Sequence, residues 1–336
     1  MRNAIEPTPE RLSDSELTAR LDAAFARRAS LISSGVSNAV RLVHDSADGI
    51  AGVVVEQFAG ALIVQHHEGR ASASPEQLAP RIETLMGRVG ATSAYLKRFL
   101  RDRSAEGGLG DAHHSADPWI GAPSAEEFAI RENGVSLMIR PFDGFSTGLF
   151  LEHRDNRARV QSIAAGGRVL NLFAYTCGFS VAAAAGGAAE VTSVDLSARY
   201  LDWGRRNFAA NALSIEEHRF IRDDSLKFYE RARRQGRDYD LIIVDPPTFA
   251  RIKKPKSVFV LSERIDDVLG GAVDRLRSDG RILFATNDRR LPRKVIEAAF
   301  HTASGRRRIV NIEWLTPPQD FQGDPDYARA VLVTIR

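Results

Sequence analysis

The sequence predicts an α/β protein in which a doubly wound, seven-stranded Rossmann-like sheet follows a smaller N-terminal α+β domain. Three observations predict it. From about residue 150 onward, short apolar runs alternate with amphipathic stretches of helical length, the rhythm of parallel strands joined by crossover helices. Ahead of that, β-rich runs are joined by turn dipeptides, Ala59-Gly60 and Asn133-Gly134. The chain closes on RRIVNIEWL and ARAVLVTIR, a hairpin that adds antiparallel strands at one edge.

The totals bound the class. A chain of 336 residues suggests two domains with sizeable cores. At 43% hydrophobic and 26% charged it is neither fibrous nor disordered in composition. No apolar run approaches the roughly 18 residues of a membrane span. The opening MRNAIEPTPE lacks the apolar stretch of a secretory signal. One cysteine, Cys177, excludes an intramolecular disulfide, so a cytoplasmic setting is the expectation. The net charge of +3 admits an acidic partner without requiring one, so the clustering of cations matters more than their sum.

Residues 1–34 read as an N-terminal helical extension. Leu12, Leu17, Leu21 and Phe25 recur at helical spacing, and Ser13 with Glu16 makes a capping box. Residues 35–145 form the small α+β domain, a candidate RNA-binding or substrate domain. In it GVVVEQF, ALIVQHH and SAYLKRFL (93–100) are strands, and 75–89 is a helix. Residues 102–125, rich in Gly, Ser, Ala, Asp and His, read as a long surface loop, and EEFAIRENGVSLMIRPF as a hairpin. Residues 146–336 form the larger domain. Its strands are RVLNLFA (168–174), VTSVDLS (191–197), HRFIRDD (218–224), DLIIVDPP and GRILFATN (280–287), before the closing hairpin. A helix precedes the first strand, and one lies between each pair; the fourth is SVFVLSERIDDVLGGAVDRLR (257–277).

Such sheets bind ligands at the carboxyl ends of their strands, near the switch point. The first strand runs into YTCGFS, where Gly178 lets the backbone approach a ligand closely. The second ends in Asp195, an acid able to accept two ribose hydroxyls. The third ends in Asp223-Asp224, where a carboxylate can read an adenine edge, and the fourth in Asp245. A nicotinamide dinucleotide would want G-x-G-x-x-G in the first loop, because its pyrophosphate sits on a helix N-terminus. NLFAYTCGFSVAAA has one glycine, so a cofactor without phosphate fits better. S-adenosylmethionine asks for an acid at the ribose, a slot for adenine and a backbone turn for its methionine part. One such acid is as often an ordinary surface residue; acids at three successive strand tips are far more specific.

Through NLFAYTCGFSVAAAAGGAAEVTSVDLSARYLDWGRRNFAANAL, RDD and DLIIVDPPTF, the chain resembles class I S-adenosylmethionine-dependent methyltransferases. It is most similar to the bacterial large-subunit enzymes that methylate C5 of cytosine or N7 of guanine in 23S rRNA. TGLFLEHRDNR (147–157) is similar to that family's leading helix, which lies against the cofactor. The resemblance covers about 135 to 336, and residues 41–69 are similar to the family's middle domain. It implies that Phe173, Ala174, Tyr175, Thr176, Cys177 and Gly178 line the methionine part of the cofactor. Asp195 takes the ribose and Leu196 flanks the adenine, whose amino group meets Asp224 with Asp223 beside it. Asn171, Ser197 and Ser225 complete the cofactor set. Asp245, Pro246 and Pro247 face the transferred methyl and the target base, with Thr248 and Phe249 next to them. Arg154 contacts the cofactor tail or steadies Asp245. The implied partner is RNA, 23S rRNA or a ribosomal precursor; no metal and no membrane are implied, and a homodimer is compatible.

The residues also bear on the atom methylated. A C5 carbon of cytosine needs covalent activation by a cysteine thiolate, which the resemblance places on the strand after DPP. That strand, ILFATNDRR, carries Thr286 and Asn287 and no cysteine, and Cys177 reads as a packing residue. C5 chemistry is therefore not expected. A ring nitrogen such as guanine N7 needs only positioning, and FATNDRR with PPQDFQ (317–322) resembles the N7-guanine branch. Enzymes that methylate exocyclic amines place an aromatic fourth, after Asp/Asn-Pro-Pro; here Thr248 is fourth and Phe249 fifth, so an amine is the lesser alternative. Phe249 is either a platform for a flipped base or a loop anchor in the core. Arg251, Lys253 and Lys254 follow DPPTF, and Arg289 and Arg290 follow the next strand. A charge run is usually a solvated face, but two runs meeting at one sheet edge read as a phosphate track, with Lys97, Arg98, Arg101 and Arg103 as its extension. These cations weigh against a protein or small-molecule substrate.

Overall fold

The computed structural model describes residues 10–100, 114–144, 146–253 and 256–336. It divides into two compact units, Met1–Leu151 with Gln319–Asp324, and Glu152–Pro318 with Pro325–Arg336.

In the first unit α1 (Asp14–Ser34) starts where its capping box puts it: the Ser13 hydroxyl accepts from the Glu16 amide, and the Glu16 carboxylate accepts from the Ser13 amide. Strands β1 (Ala39–His44), β2 (Val53–Phe58), β3 (Ala61–His67), β4 (Ser93–Phe99) and β5 (Ile120–Gly121) form one sheet in chain order. Neighbours are antiparallel except β3 and β4, which run parallel because α2 (Pro75–Val89) carries the chain back between them. Leu17 and Ala24 of α1, Leu42, Val55 and Val64 of the strands, and Leu78 and Ile82 of α2 share one apolar cluster. A separate hairpin, β6 (Phe128–Glu132) with β7 (Val135–Ile139), turns on Asn133 and Gly134, both at positive φ. The expected loop over 102–125 contains β5; its 102–113 portion lies outside the described residues. Gln319–Asp324 belongs to this unit through Asp320, which is fully buried. Its carboxylate accepts the Arg41 amide and its carbonyl the buried Arg28 guanidinium.

The second unit begins with α3 (Arg154–Ile163). Then follow β8 (Arg168–Leu172), α4 (Gly178–Ala185), β9 (Glu190–Asp195), α5 (Ala198–Ala209), β10 (Arg219–Arg222), α6 (Ser225–Arg234) and β11 (Tyr239–Val244). After a hairpin come α7 (Leu261–Asp274), β14 (Leu276–Thr286), α8 (Arg293–Ser304), β15 (Ile309–Leu315) and β16 (Arg329–Ile335). The seven-stranded sheet is ordered β10-β9-β8-β11-β14-β16-β15. Five strands are parallel; β16 runs against β14 and β15. From β8 the chain steps outward to β10, then crosses back to β11 on the other side. The carboxyl ends of β8 and β11 therefore flank the switch point. Leu170, Ile242, Ile282 and Phe284 of the sheet pack with Val268 and Leu269 of α7 and Ile296 and Phe300 of α8.

One expected element differs. The helix read over 257–277 begins only at Leu261, because β12 (Phe249–Lys253) and β13 (Lys256–Val260) form a two-stranded hairpin first. In SVFV, Phe259 is buried while Val258 is exposed, and this period of two, in a β-branched and aromatic run, favours a strand.

Candidate active site

The loop after β8 has an unusual backbone. Phe173, Tyr175 and Cys177 all lie in the left-handed region, with φ of 54°, 48° and 64°. Non-glycine residues avoid that region, so three in five positions must be held there by their surroundings. The holders are visible. The Phe173 amide donates to Ser225 Oγ at 3.2 Å, the Ala174 amide to the Val194 carbonyl at 3.0 Å and the Tyr175 amide to Asp195 Oδ2 at 2.9 Å. Asn207 Nδ2 reaches the Thr176 carbonyl at 2.7 Å, and Asn171 Nδ2 reaches Ser180 Oγ at 2.8 Å beneath the loop. Gly178 is the first residue of α4, and the left-handed conformations precede it.

Asp195 ends β9 and joins this loop to the next. Its Oδ1 accepts the Ser197 amide at 2.8 Å and its Oδ2 the Tyr175 amide. Burial raises its pKa, outweighing these two hydrogen bonds. Leu196 beside it is 47% exposed, and Ser197 caps α5. Asp224 caps α6, its Oδ1 accepting the Leu226 and Lys227 amides, so one carboxylate oxygen is committed to the helix. Asp223 Oδ2 lies 3.3 Å from Arg231.

Cys177 is fully buried, and burial pushes its thiol up to about 12. A Cβ at Gly204 would overlap its Sγ, so the thiol fills space against α5.

On the other side of the switch point, Asp245 follows β11. Its carboxylate Oδ2 lies 3.3 Å from Nε2 of His153, a buried imidazole one residue before α3. Sequence reasoning stopped at the neighbour, Arg154, which is also buried. The missed signal was a histidine in LEHRDNR directly before that arginine. Asn156 Nδ2 sits 3.0 Å from His153 Nδ1. With the amide so turned, the proton of a neutral ring is on Nε2, facing Asp245; turned over, the amide oxygen accepts from an imidazolium. Burial pushes His153 down, but the charge of Asp245, its hydrogen bond and Glu152 together hold it above the usual histidine value.

Beyond Pro246 and Pro247, Thr248 Oγ1 donates to Asn287 Oδ1 at 2.7 Å, tying the DPPT turn to the end of β14. Phe249 is 51% exposed, which excludes the core-anchor reading, and the Arg251 guanidinium lies 5.8 Å from its ring centre. Arg289 is exposed. Arg290 is held by Asp288 in a two-bond fork, at 2.8 and 2.7 Å. The Lys253 side chain is not described, and Lys254, Arg101 and Arg103 lie outside the described residues. In the other unit, Lys97 is buried rather than on a surface track, and Arg98 is paired with Glu68.

Residues 108–333 match the S-adenosylmethionine-dependent methyltransferase family. The chain is 33% identical over 308 residues to a ribosomal RNA large subunit methyltransferase of Deinococcus radiodurans, covering 89% of this chain and 73% of that one. It is 42% identical over 164 residues to ribosomal RNA large subunit methyltransferase K of Neisseria meningitidis serogroup B, covering 49% of this chain and 46% of that one. Among solved structures it is similar to SMU.776, whose crystal structure is a complex with SAH, with a TM-score of 0.82 and 27% identity over 98% of this chain and 84% of that one. The switch-point site thus sits on a fold and a sequence that point the same way, and the chain belongs to the S-adenosylmethionine-dependent methyltransferase family.

Proposed function

We propose that the chain transfers the cofactor's methyl group to a base of RNA, large-subunit rRNA, by direct displacement at guanine N7. The observation that carries this reading is the exposed Phe249–Arg251 face directly after Asp245-Pro246-Pro247. An aromatic ring beside a cation at the acceptor side suits an unstacked base with its phosphate. The names of the similar proteins support rRNA as the class.

The residues present fit the cofactor. Each oxygen of Asp195 accepts one backbone N–H and keeps capacity for a ribose hydroxyl. Exposed Leu196 offers an apolar face to the adenine, and the free oxygen of Asp224 can meet the adenine amino group. The Phe173–Gly178 turn holds the methionine part, its backbone fixed by Ser225, Val194, Asp195 and Asn207. When bound, the cofactor supplies a sulfonium methyl open to in-line attack. His153 holds Asp245 at the acceptor side, where its carboxylate stabilises the positive charge that N7 gains. Pro246, Pro247 and Thr248, tied to Asn287, keep that turn rigid. Cys177, buried and protonated, takes no part, and the acceptor needs no thiolate.

Mass spectrometry of rRNA nucleosides from cells with and without the protein tests this. N7-methylguanosine should be lost at one site. Loss of 5-methylcytidine or of an amine-methylated base instead would refute the N7 assignment; unchanged rRNA would refute the RNA reading.

A further inference from the structure

In the first unit a cavity of about 130 Å³ opens beside β4. Tyr95, Trp119, Pro141 and Phe142 wall it, and Lys97 and Asp117 supply its charge. The walls are fixed. The Tyr95 hydroxyl lies 3.0 Å from Ser124 Oγ and accepts the Ser124 amide at 3.0 Å, and the Tyr95 ring centre is 5.5 Å from that of Phe142. The Trp119 amide donates to the Ala94 carbonyl at 2.8 Å. The approach of β5 to β4 that allows this needs Gly121, at φ +86°, because a Cβ there would overlap the Thr92 carbonyl oxygen.

Lys97 is the unusual member. It is 1% exposed, and its Nζ donates to the Gly144 carbonyl at 2.7 Å. An ammonium has three donors, and among the described residues this carbonyl takes one. Burial pushes Lys97 down to about 8 while Glu56 and Asp143 pull it up, so it is charged at neutral pH. Glu56 and Asp143 offset part of the charge through space, and the two remaining donors of the ammonium leave capacity for an acceptor that enters the cavity. Size limits that acceptor. A dry cavity of about 150 Å³ admits a benzene ring, so this one takes a single ring and not a whole nucleotide.

We infer that this cavity is a second RNA subsite, taking one unpaired nucleobase whose ring packs on the aromatic wall and whose carbonyl oxygen accepts from Lys97. The inference rests on the RNA reading above and concerns a base other than the methylated one. Uracil satisfies both the stacking and the lysine; adenine, with no carbonyl, satisfies only the stacking.

Tryptophan fluorescence of the full chain, titrated with pentamers of uridylate or adenylate, tests it. The uridylate pentamer should quench, and Trp119→Phe should abolish the quench and so assign it. Lys97→Met should weaken the uridylate pentamer at least tenfold and leave the adenylate pentamer within about twofold, with Lys97→Arg intermediate. Circular dichroism and unfolding transitions like those of the wild type show that each variant is folded. Deproteinised rRNA that binds while the pentamers are indifferent to both substitutions overturns the subsite and spares the RNA reading. No binding of any RNA overturns both. Uridine monophosphate binding as tightly as the pentamer would mean that the cavity takes the base of a free nucleotide rather than of an RNA strand and would overturn the inference.

Discussion

Replacing His153 with leucine tests the part of the site that only the structure revealed. Leucine keeps the apolar packing against Phe179, whose ring centre is 5.5 Å from the imidazole, and removes the donor facing Asp245 at 3.3 Å. A hydrogen bond to a charged group contributes about 1.5–3 kcal/mol. If Asp245 needs it to hold its place at the transition state, kcat falls by about 10- to 150-fold, at about tenfold per 1.36 kcal/mol. KM for S-adenosylmethionine should change little, because the cofactor side of the site lies on β8 and β9. His153→Gln can still present an N–H and should recover much of the loss at neutral pH. The pH profile separates positioning from mere structure. His153 is raised in the folded protein, so the imidazolium–carboxylate pair is complete below the ordinary histidine range of about 6.5 and is lost as pH rises through the folded value. Wild-type kcat, measured as labelled methyl transfer to deproteinised large-subunit rRNA, should therefore decline on a shallow alkaline limb that His153→Gln lacks, because the neutral ring loses its charge but keeps its N–H toward Asp245. Wild-type kcat in His153→Leu, or a limb unchanged in His153→Gln, would refute the reasoning.

Asp195→Asn turns an NH2 donor toward one of the two backbone N–H donors, of Tyr175 or Ser197, and should weaken S-adenosylmethionine about 10- to 150-fold by calorimetry. Because burial raises Asp195, wild-type cofactor affinity should begin to fall at a higher pH on acidification than the usual carboxylate range of about 4 predicts. Cys177→Ser should keep most methyl transfer, and the native thiol should resist alkylation; Gly204→Ala, which drives a methyl into that sulfur, should lower stability by about 1–3 kcal/mol in denaturant unfolding. Arg251→Glu should weaken rRNA binding and flatten its log–log salt dependence by about one contact, whereas Arg290→Ala, already forked to Asp288, should do so by less.

The sheet and its helices were legible because their signals are local. Alternating apolar runs and caps such as Ser13 with Glu16 are written in consecutive residues. The β12–β13 hairpin was lost where two local signals overlap. SVFV runs without a break into the helical LSERIDDVLGGAVD, and only burial shows the period changing at Leu261. His153 was lost for another reason. Its partner Asp245 lies far along the chain, and a single histidine beside a conspicuous arginine gives no pattern to read. PPQDFQ was read as similar to the N7-guanine branch, and the structure shows a packing duty that the motif does not: the Asp320 carboxylate accepts the Arg41 amide inside the first unit. Asp224 was placed by motif and carries a second duty that motif does not show, the cap of α6.

The strained loop and the DPPTF hairpin are one packed object rather than two neighbouring features. Alternation along the hairpin sends Phe259 inward and Phe249, Arg251 and Val258 outward. Phe259 meets the ring of Phe173 with centres 5.8 Å apart. Phe173 is the first of the three residues held at positive φ, and its amide is pinned by Ser225 at the foot of α6. The face that would meet a base is thus braced from behind by the turn that would hold the cofactor. A displacement reaction needs its two partners fixed within tenths of an ångström while neither is bonded to the protein. Packing the Phe249–Val260 hairpin against the Phe173 turn would meet that need directly: the backbone strain on one side is supported by the aromatic contact that seats the other. It also accounts for Thr248 in the fourth position of the motif. That residue is committed to Asn287 of the adjoining strand end, so the aromatic moves one place on, to the outward face of the hairpin.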